Sequence, residues 1–204
     1  LPCKSAPGFV VNRILTPYIN EALFALEGGV PAAVIDRVGK NFGMPMGPIE
    51  LTDVVGLDVS LHVGRVLAQA FQRRVPDILT KLVERKKLGR KSGEGFYVWR
   101  KGEPQRNEAP HFLVPADLED RLILPMLNEA VACLREGVID DAELLDAGVI
   151  FATGFAPFRG GPLQYAKTRG VAKVTARLEE LAKRYGERFR PDPGWQQFSR
   201  DVTH

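Results

Sequence analysis

Two stretches of this chain specify nearly the same helix. PGFVVNRILTPYINEA runs from Pro7 to Ala22, and PADLEDRLILPMLNEA runs from Pro115 to Ala130, 108 residues later. Between residues 13–30 and 121–138, eight of eighteen aligned positions are identical without a gap. The shared residues include a proline inside the helical pattern, Pro17 and Pro125. Further on, GMPMGP returns in longer form as GFAPFRGGP, ending in Pro162. Such a duplication predicts two tandem copies of one all-α unit, and the absence of a third copy argues for a pair and against a solenoid. One copy of about 90 residues buries too small a share of its surface to be comfortable alone. The two copies are therefore expected to pack as a pseudo-symmetric dimer within one chain. The division follows as a first repeat over 1–100, a linker over 101–115 and a second repeat over 116–204.

The helical period supports this. Val11, Ile14, Leu15, Tyr18, Ala22 and Leu26 recur at three- and four-residue steps, so they share a face. Val10, Ile19 and Leu23 widen that face, which predicts burial on more than one side. Ser5 suits the cap, Pro7 suits the first turn, and Gly28-Gly29 suits the stop. Pro17 removes one backbone hydrogen bond and predicts a kink. Further helices are expected over 31–41, from Pro48, over 57–74 and over 77–86. GRKSGEGFYVW reads as a glycine-rich turn feeding a short extended piece. The polar, proline-bearing stretch after it has no period and reads as the linker.

The two copies differ in their opening turn. Phe9, Val11 and Asn12 of the first match Asp117, Glu119 and Asp120 of the second. Acidic residues suit a helix N-terminus in water; the apolar version suits burial. The first copy is therefore expected to present this end to a neighbour that the second does not meet. Asn12 is the sharpest single residue, because an amide at the start of a buried helix must find hydrogen bonds. Its partner is either local backbone or a carbonyl or hydroxyl in a cleft.

Composition excludes several classes of function. A net charge of +3 is too small to argue for nucleic acid. No apolar run approaches the roughly 20 residues of a membrane span. Cys3 and Cys133 do not make a disulfide framework, which fits a reducing, cytoplasmic compartment. Cys133 reads as a buried small hydrophobe. His62, His111 and His204 are scattered, with no spacing suited to zinc. There is no G-x-S-x-G elbow and no Walker A loop. Gly93-Glu94-Gly95 precedes an extended piece, whereas a dinucleotide-binding turn follows a strand and opens a helix. The basic run over 81–91 fits either a phosphate-bearing ligand such as coenzyme A or a solvated helix face. The chain begins Leu1-Pro2-Cys3, with no initiator Met and no signal-peptide pattern, and is expected to be a fragment.

PGFVVNRILTPYINEA, then GMPMGPIELTDVVGLD and GRKSGEGFYVW, resemble the C-terminal domain of L-3-hydroxyacyl-CoA dehydrogenases. The second copy, ending GFAPFRGGPLQYA, resembles the tandem second repeat of the multifunctional fatty-acid oxidation enzymes, and the tail GERFRPDPGW resembles bacterial members more. The resemblance implies an all-α fold similar to the helical C-terminal domain of 6-phosphogluconate dehydrogenase. It implies NAD-dependent oxidation of a 3-hydroxyacyl-CoA to the 3-ketoacyl-CoA in β-oxidation. It places the acid–base pair, a histidine oriented by a glutamate, on an NAD-binding domain upstream of Leu1. No catalytic residue is then expected in this chain, which would bind no cofactor and be inactive alone. Asn12 matches the family asparagine that reaches the interdomain cleft, and Phe151 falls where some bacterial relatives have a tyrosine proposed to contact substrate. The missing NAD-binding domain would rest against Phe9 to Val11, and the second copy would serve as the first copy's internal partner with its ADLED turn facing solvent or another domain. A hydratase domain and a thiolase subunit are family expectations, and the chain itself is expected to be monomeric. The alternatives are a freestanding, non-catalytic interaction module of the same fold and a phosphate binder using the basic run.

Overall fold

The computed structural model describes residues 9–203, with side chains described for residues 10–200. Ser5, Pro7 and Cys3 lie outside the described residues, as does the side chain of Phe9. Ten α-helices, three short 3-10 turns and one short hairpin make up the regular structure among them. Among the described residues no single helix is long and apolar enough to cross a membrane.

The first four α-helices of the two copies correspond one for one. α1 (Phe9–Glu27) answers to α6 (Leu118–Arg135), with Pro17 and Pro125 inside them. α2 (Ala32–Phe42) answers to α7 (Ala142–Thr153). α3 (Pro48–Val55) and α8 (Pro162–Arg169) each have eight residues and open on proline. α4 (Leu57–Phe71) and α9 (Val171–Tyr185) each have fifteen. After that the copies diverge. The first adds α5 (Asp77–Glu84) and a hairpin of β1 (Val98–Arg100) and β2 (Glu103–Gln105). The second adds a 3-10 turn at Glu187–Phe189 and α10 (Trp195–Thr203). α4 stops three residues short of the expected end, because Gln72 turns left-handed at φ 51°.

The chain forms two compact units, Tyr18–Glu119 and Leu1–Pro17 with Asp120–His204. α1 changes unit at Pro17, so its first half is grouped with the second copy. In the Tyr18–Glu119 unit α2 packs on α3, α3 on α4 and α4 on α5. Tyr18, Leu23, Ile35, Phe42, Ile49 and Leu57 are fully buried there. In the other unit α7 packs on α8, α8 on α9 and α9 on α10, around Ile14, Leu122, Phe155 and Phe189. Cys133 is fully buried, as its apolar setting predicts. The stretch after Arg100 begins by pairing back in the hairpin. Arg106 then reaches Glu50 at 2.6 Å, and Arg37 donates to the Glu108 carbonyl at 3.1 Å.

Buried carboxylates tie helices together within each copy, and the sequence reading did not single them out. Asp36 on α2 accepts from the amides of Ile49 and Glu50 at 2.7 and 3.1 Å, capping α3 from a neighbouring helix. Asp146 on α7 does the same for α8, through Leu163 and Gln164 at 2.8 Å each. The orphan amides of a helix N-terminus are thus satisfied across the tertiary structure instead of locally. The residue before each proline is glycine because a Cβ at Gly47 or Gly161 would run into the aspartate side chain. Asp53, only in the first copy, accepts from the amides of Phe96 and Tyr97 and from Trp99 Nε1, all within 2.9 Å. It thereby ties the GEGFYVW segment onto α3.

Candidate functional site

Asn12 lies in the first turn of α1. The expectation of a buried amide in need of partners is not met: Asn12 is exposed, while Val10 and Ile14 on either side of it are buried. The reason is helical geometry. The face through Val10 and Ile14 turns inward with Arg13, and Asn12 falls on the opposite side. Thr16 Oγ1 donates to the Asn12 carbonyl at 2.7 Å, which occupies the backbone oxygen. The side-chain amide has no hydrogen-bond partner among the described residues, so its donors and its acceptor face outward.

Arg13 anchors the same turn from within. Its Nε reaches Glu129 Oε1 at 2.5 Å and its guanidinium reaches Glu136 Oε2 at 2.6 Å. Arg13 and Glu129 are 3% and 2% exposed, so this pair works with little solvent screening. The Arg13 contacts lock the rotation of the helix and thereby fix the direction in which Asn12 points.

The matching turn of the second copy, expected to face solvent or another domain, is partly closed: Glu119 is exposed and Asp120 half-buried. Asp117 and Leu118 are buried, and Asp120 receives Arg169 and Arg177 at 2.7 Å each. Burial pushes the Asp120 carboxyl up, but the two arginine hydrogen bonds outweigh it and hold the group below the ordinary carboxylate range. The acidic turn is stable because α8 and α9 supply its counter-charges. Asn12 is thus open where its counterpart is closed.

Phe151, on α7, is 91% exposed. No hydrogen bond or ring contact joins it to Asn12 among the described residues. Phe158, in the longer GFAPFRGGP turn, is 76% exposed, with Arg159 stacked 5.2 Å from its ring centroid. His62 and His111 are exposed. Among the described residues, no group of three His, Cys, Asp or Glu side chains is placed to hold a metal ion. The only strands among the described residues are three residues long and antiparallel, and Gly93 and Gly95 lead into one of them. The described residues therefore do not fit a dinucleotide, whose cradle needs a strand, a glycine turn and a helix in that order.

Residues 8–99 match the family model described as 3-hydroxyacyl-CoA dehydrogenase, C-terminal domain. Over 203 aligned residues the chain is 41% identical to the fatty acid oxidation complex subunit alpha of Vibrio cholerae serotype O1, covering 94% of this chain and 29% of that protein. It therefore spans less than a third of the length of the curated relatives it matches. Two solved structures share the fold. 3-hydroxybutyryl-CoA dehydrogenase from Escherichia coli K12 superimposes with a TM-score of 0.79 at 24% identity, covering 98% of this chain and 61% of that one. The dehydrogenase part of multifunctional enzyme 1 from C. elegans gives 0.71 at 23% identity, covering 95% and 48%.

Proposed function

We propose, from the match of residues 8–99 to the 3-hydroxyacyl-CoA dehydrogenase C-terminal domain family, that this chain is the helical, substrate-side part of an NAD-dependent 3-hydroxyacyl-CoA dehydrogenase of fatty-acid β-oxidation. One observation carries the reading. Asn12 presents an unpartnered amide at the surface, on a turn that the second copy closes with two arginines. An amide so placed donates to a substrate oxygen as it changes from hydroxyl to carbonyl, and holds it in line for proton removal. Phe151 is a second proposed contact, apolar only. NAD and the His–Glu pair belong, on this reading, to another part of the protein, so this chain alone is inactive.

The two copies correspond to repeats over 1–100 and 116–204. The grouping of the first half of α1 with the second copy, anchored by Arg13, supports reading the copies as partners. On the same reading the chain is monomeric and cytoplasmic, an NAD-binding domain rests against Phe9 to Val11, and a thiolase subunit is a partner of the whole enzyme.

Two measurements test this. The coding sequence before Leu1 should encode a strand–GxGxxG–helix unit followed by a His–Glu pair. A start codon directly before Leu1 would overturn the reading and leave a binding module of the same fold. In the complete enzyme, Asn12→Ala should lower turnover by more than about tenfold, about 1.4 kcal/mol, with little effect on NAD binding. Unchanged turnover would make Asn12 structural.

A further inference from the structure

Arg13 is held at two points, and the two are not equivalent. Glu129 takes its Nε and Glu136 takes its Nη1. Glu129 belongs to the duplication, being matched by Glu21 in the first copy. Glu136 does not: the aligned residue is Gly28. Glu136 is itself braced, because Arg135 donates to its other oxygen at 2.9 Å and grips Asp192 at 2.8 and 2.9 Å. The Arg13 hydrogen bond holds the Glu136 carboxyl below its ordinary range, so the pair stays charged at neutral pH. One carboxylate neutralises a buried arginine, and Glu129 supplies it. The second does something else. A guanidinium gripped at one nitrogen can still pivot about it, whereas a planar fork gripped at two is a fixed bracket.

The turn that this bracket holds is the one carrying Asn12. Successive residues of an α-helix point about 100° apart, so the direction of Arg13 sets that of Asn12. The backbone of α1 does less of this by itself than an unbroken helix would, because Pro17 has no amide hydrogen to give the Arg13 carbonyl. An amide about 5–6 Å from the helix axis moves about 1 Å when the helix rolls by about 10°. A misplacement of about 1 Å costs up to roughly a hundredfold in rate when the group must meet a reacting atom.

We propose that Glu129 and Glu136 of the second copy are positioning residues for the dehydrogenase reaction: through Arg13 they set the angle at which Asn12 meets the substrate oxygen. The proposal rests on the dehydrogenase reading, and neither glutamate touches substrate. It gives the second copy a part in turnover beyond the apolar contact of Phe151.

Two readouts test it. In the 204-residue chain, 15N relaxation follows the backbone amide of Asn12. Its order parameter should be about 0.85 in the wild type; in Glu136→Gln it should fall toward about 0.6 or show relaxation dispersion from a swinging turn. The Asn41 amide, on α2, should not change. In the complete enzyme Glu136→Gln should lower kcat about three- to tenfold with KM for NAD unchanged, and Glu129→Gln should lower it further. In an Asn12→Ala background neither change should lower kcat again, a non-additivity that a general loss of stability does not produce. Asp53→Asn, which loosens a tie in the other unit, should lower the urea midpoint and leave kcat unchanged. If Glu129→Gln does not fold by circular dichroism, Glu136→Gln decides, since that carboxylate is 34% exposed. An Asn12 amide as rigid in the variant as in the wild type overturns the proposal. So does an unchanged kcat with Asn12 loosened, or a full additive loss in the Asn12→Ala background. The relaxation measurement needs neither NAD nor turnover. If Asn12→Ala alone leaves turnover unchanged, the dehydrogenase reading of Asn12 has failed, which is a separate result that takes the proposal with it.

Discussion

Asp36→Asn should destabilise the protein in acid and matter little above neutrality. Asp36 is 1% exposed and accepts three hydrogen bonds, from Ile49 N, Glu50 N and the Tyr97 hydroxyl at 2.7, 3.1 and 2.7 Å. Burial pushes its carboxyl up to about 6, against an ordinary value of 3.8, even though the three donors pull it down. A folded-state value above the unfolded one means that the group's contribution is fullest below about pH 4 and is lost as pH rises through about 6. At 1.36 kcal/mol per unit, the full span is about 3 kcal/mol. Asparagine has no such dependence. Its oxygen keeps the Ile49 bond, but its NH2 faces the Glu50 amide, a donor against a donor, at a cost of about 1–3 kcal/mol relative to the protonated carboxyl. The wild type should therefore exceed the variant by about 2 kcal/mol at pH 4, and the gap should close or invert by pH 8. Urea unfolding followed by tryptophan fluorescence reads this directly. Asp146, also pushed up to about 6 by burial, is common to both proteins and cancels in the difference. A gap that stays constant from pH 4 to 8 would refute the assignment of the acid-side stability to Asp36.

Three further outcomes are expected. Arg13→Met should cost about 3–5 kcal/mol in urea unfolding, because Glu129 is left buried without its arginine, and Arg13→Met with Glu129→Leu should recover most of the loss. Trp99→Phe should cost about 1–3 kcal/mol by removing the 2.8 Å bond from Nε1 to Asp53, while Trp99→Phe with Asp53→Asn should cost less than the two single changes added. Light scattering should find a monomer at micromolar concentrations, and a stable homodimer would contradict the internal pairing of the copies.

The helices were legible because their signals are local. Pro48 opens α3, Gly28-Gly29 follows α1, and the repeat of Arg13, Pro17, Asn20 and Glu21 in α6 announces a second copy. The family motifs were legible for the same reason. What was not legible depends on partners far along the chain. Asp36 and Asp146 look like ordinary helical aspartates until the amides they cap, 13 and 17 residues later, fold back over them. Their one sequence signal is that an aspartate precedes the Gly-Pro step in both copies. Asn12 was read as buried because the apolar positions around it form a broad face, and only the inward rotation of Arg13 shows which side it leaves. The ADLED turn was read as facing solvent or another domain because aspartate near a helix start suits water, while the arginines that hold Asp120 lie 49 and 57 residues away.

The division of α1 at Pro17 has a consequence for how the protein is made. Arg13 finds Glu129 and Glu136 across 116 and 123 residues of sequence, so the first half of this helix belongs to a unit whose remainder is synthesised only after the whole Tyr18–Glu119 unit. At about 5–20 residues per second, roughly ten seconds pass between the translation of Arg13 and that of its partners. During that interval Val10 and Ile14 have no finished core to enter, although the Tyr18–Glu119 unit next to them can already close. The nascent chain thus carries an apolar half-helix beside an already folded unit, which is a natural foothold for a chaperone and a segment open to mispairing with another chain on the same polysome.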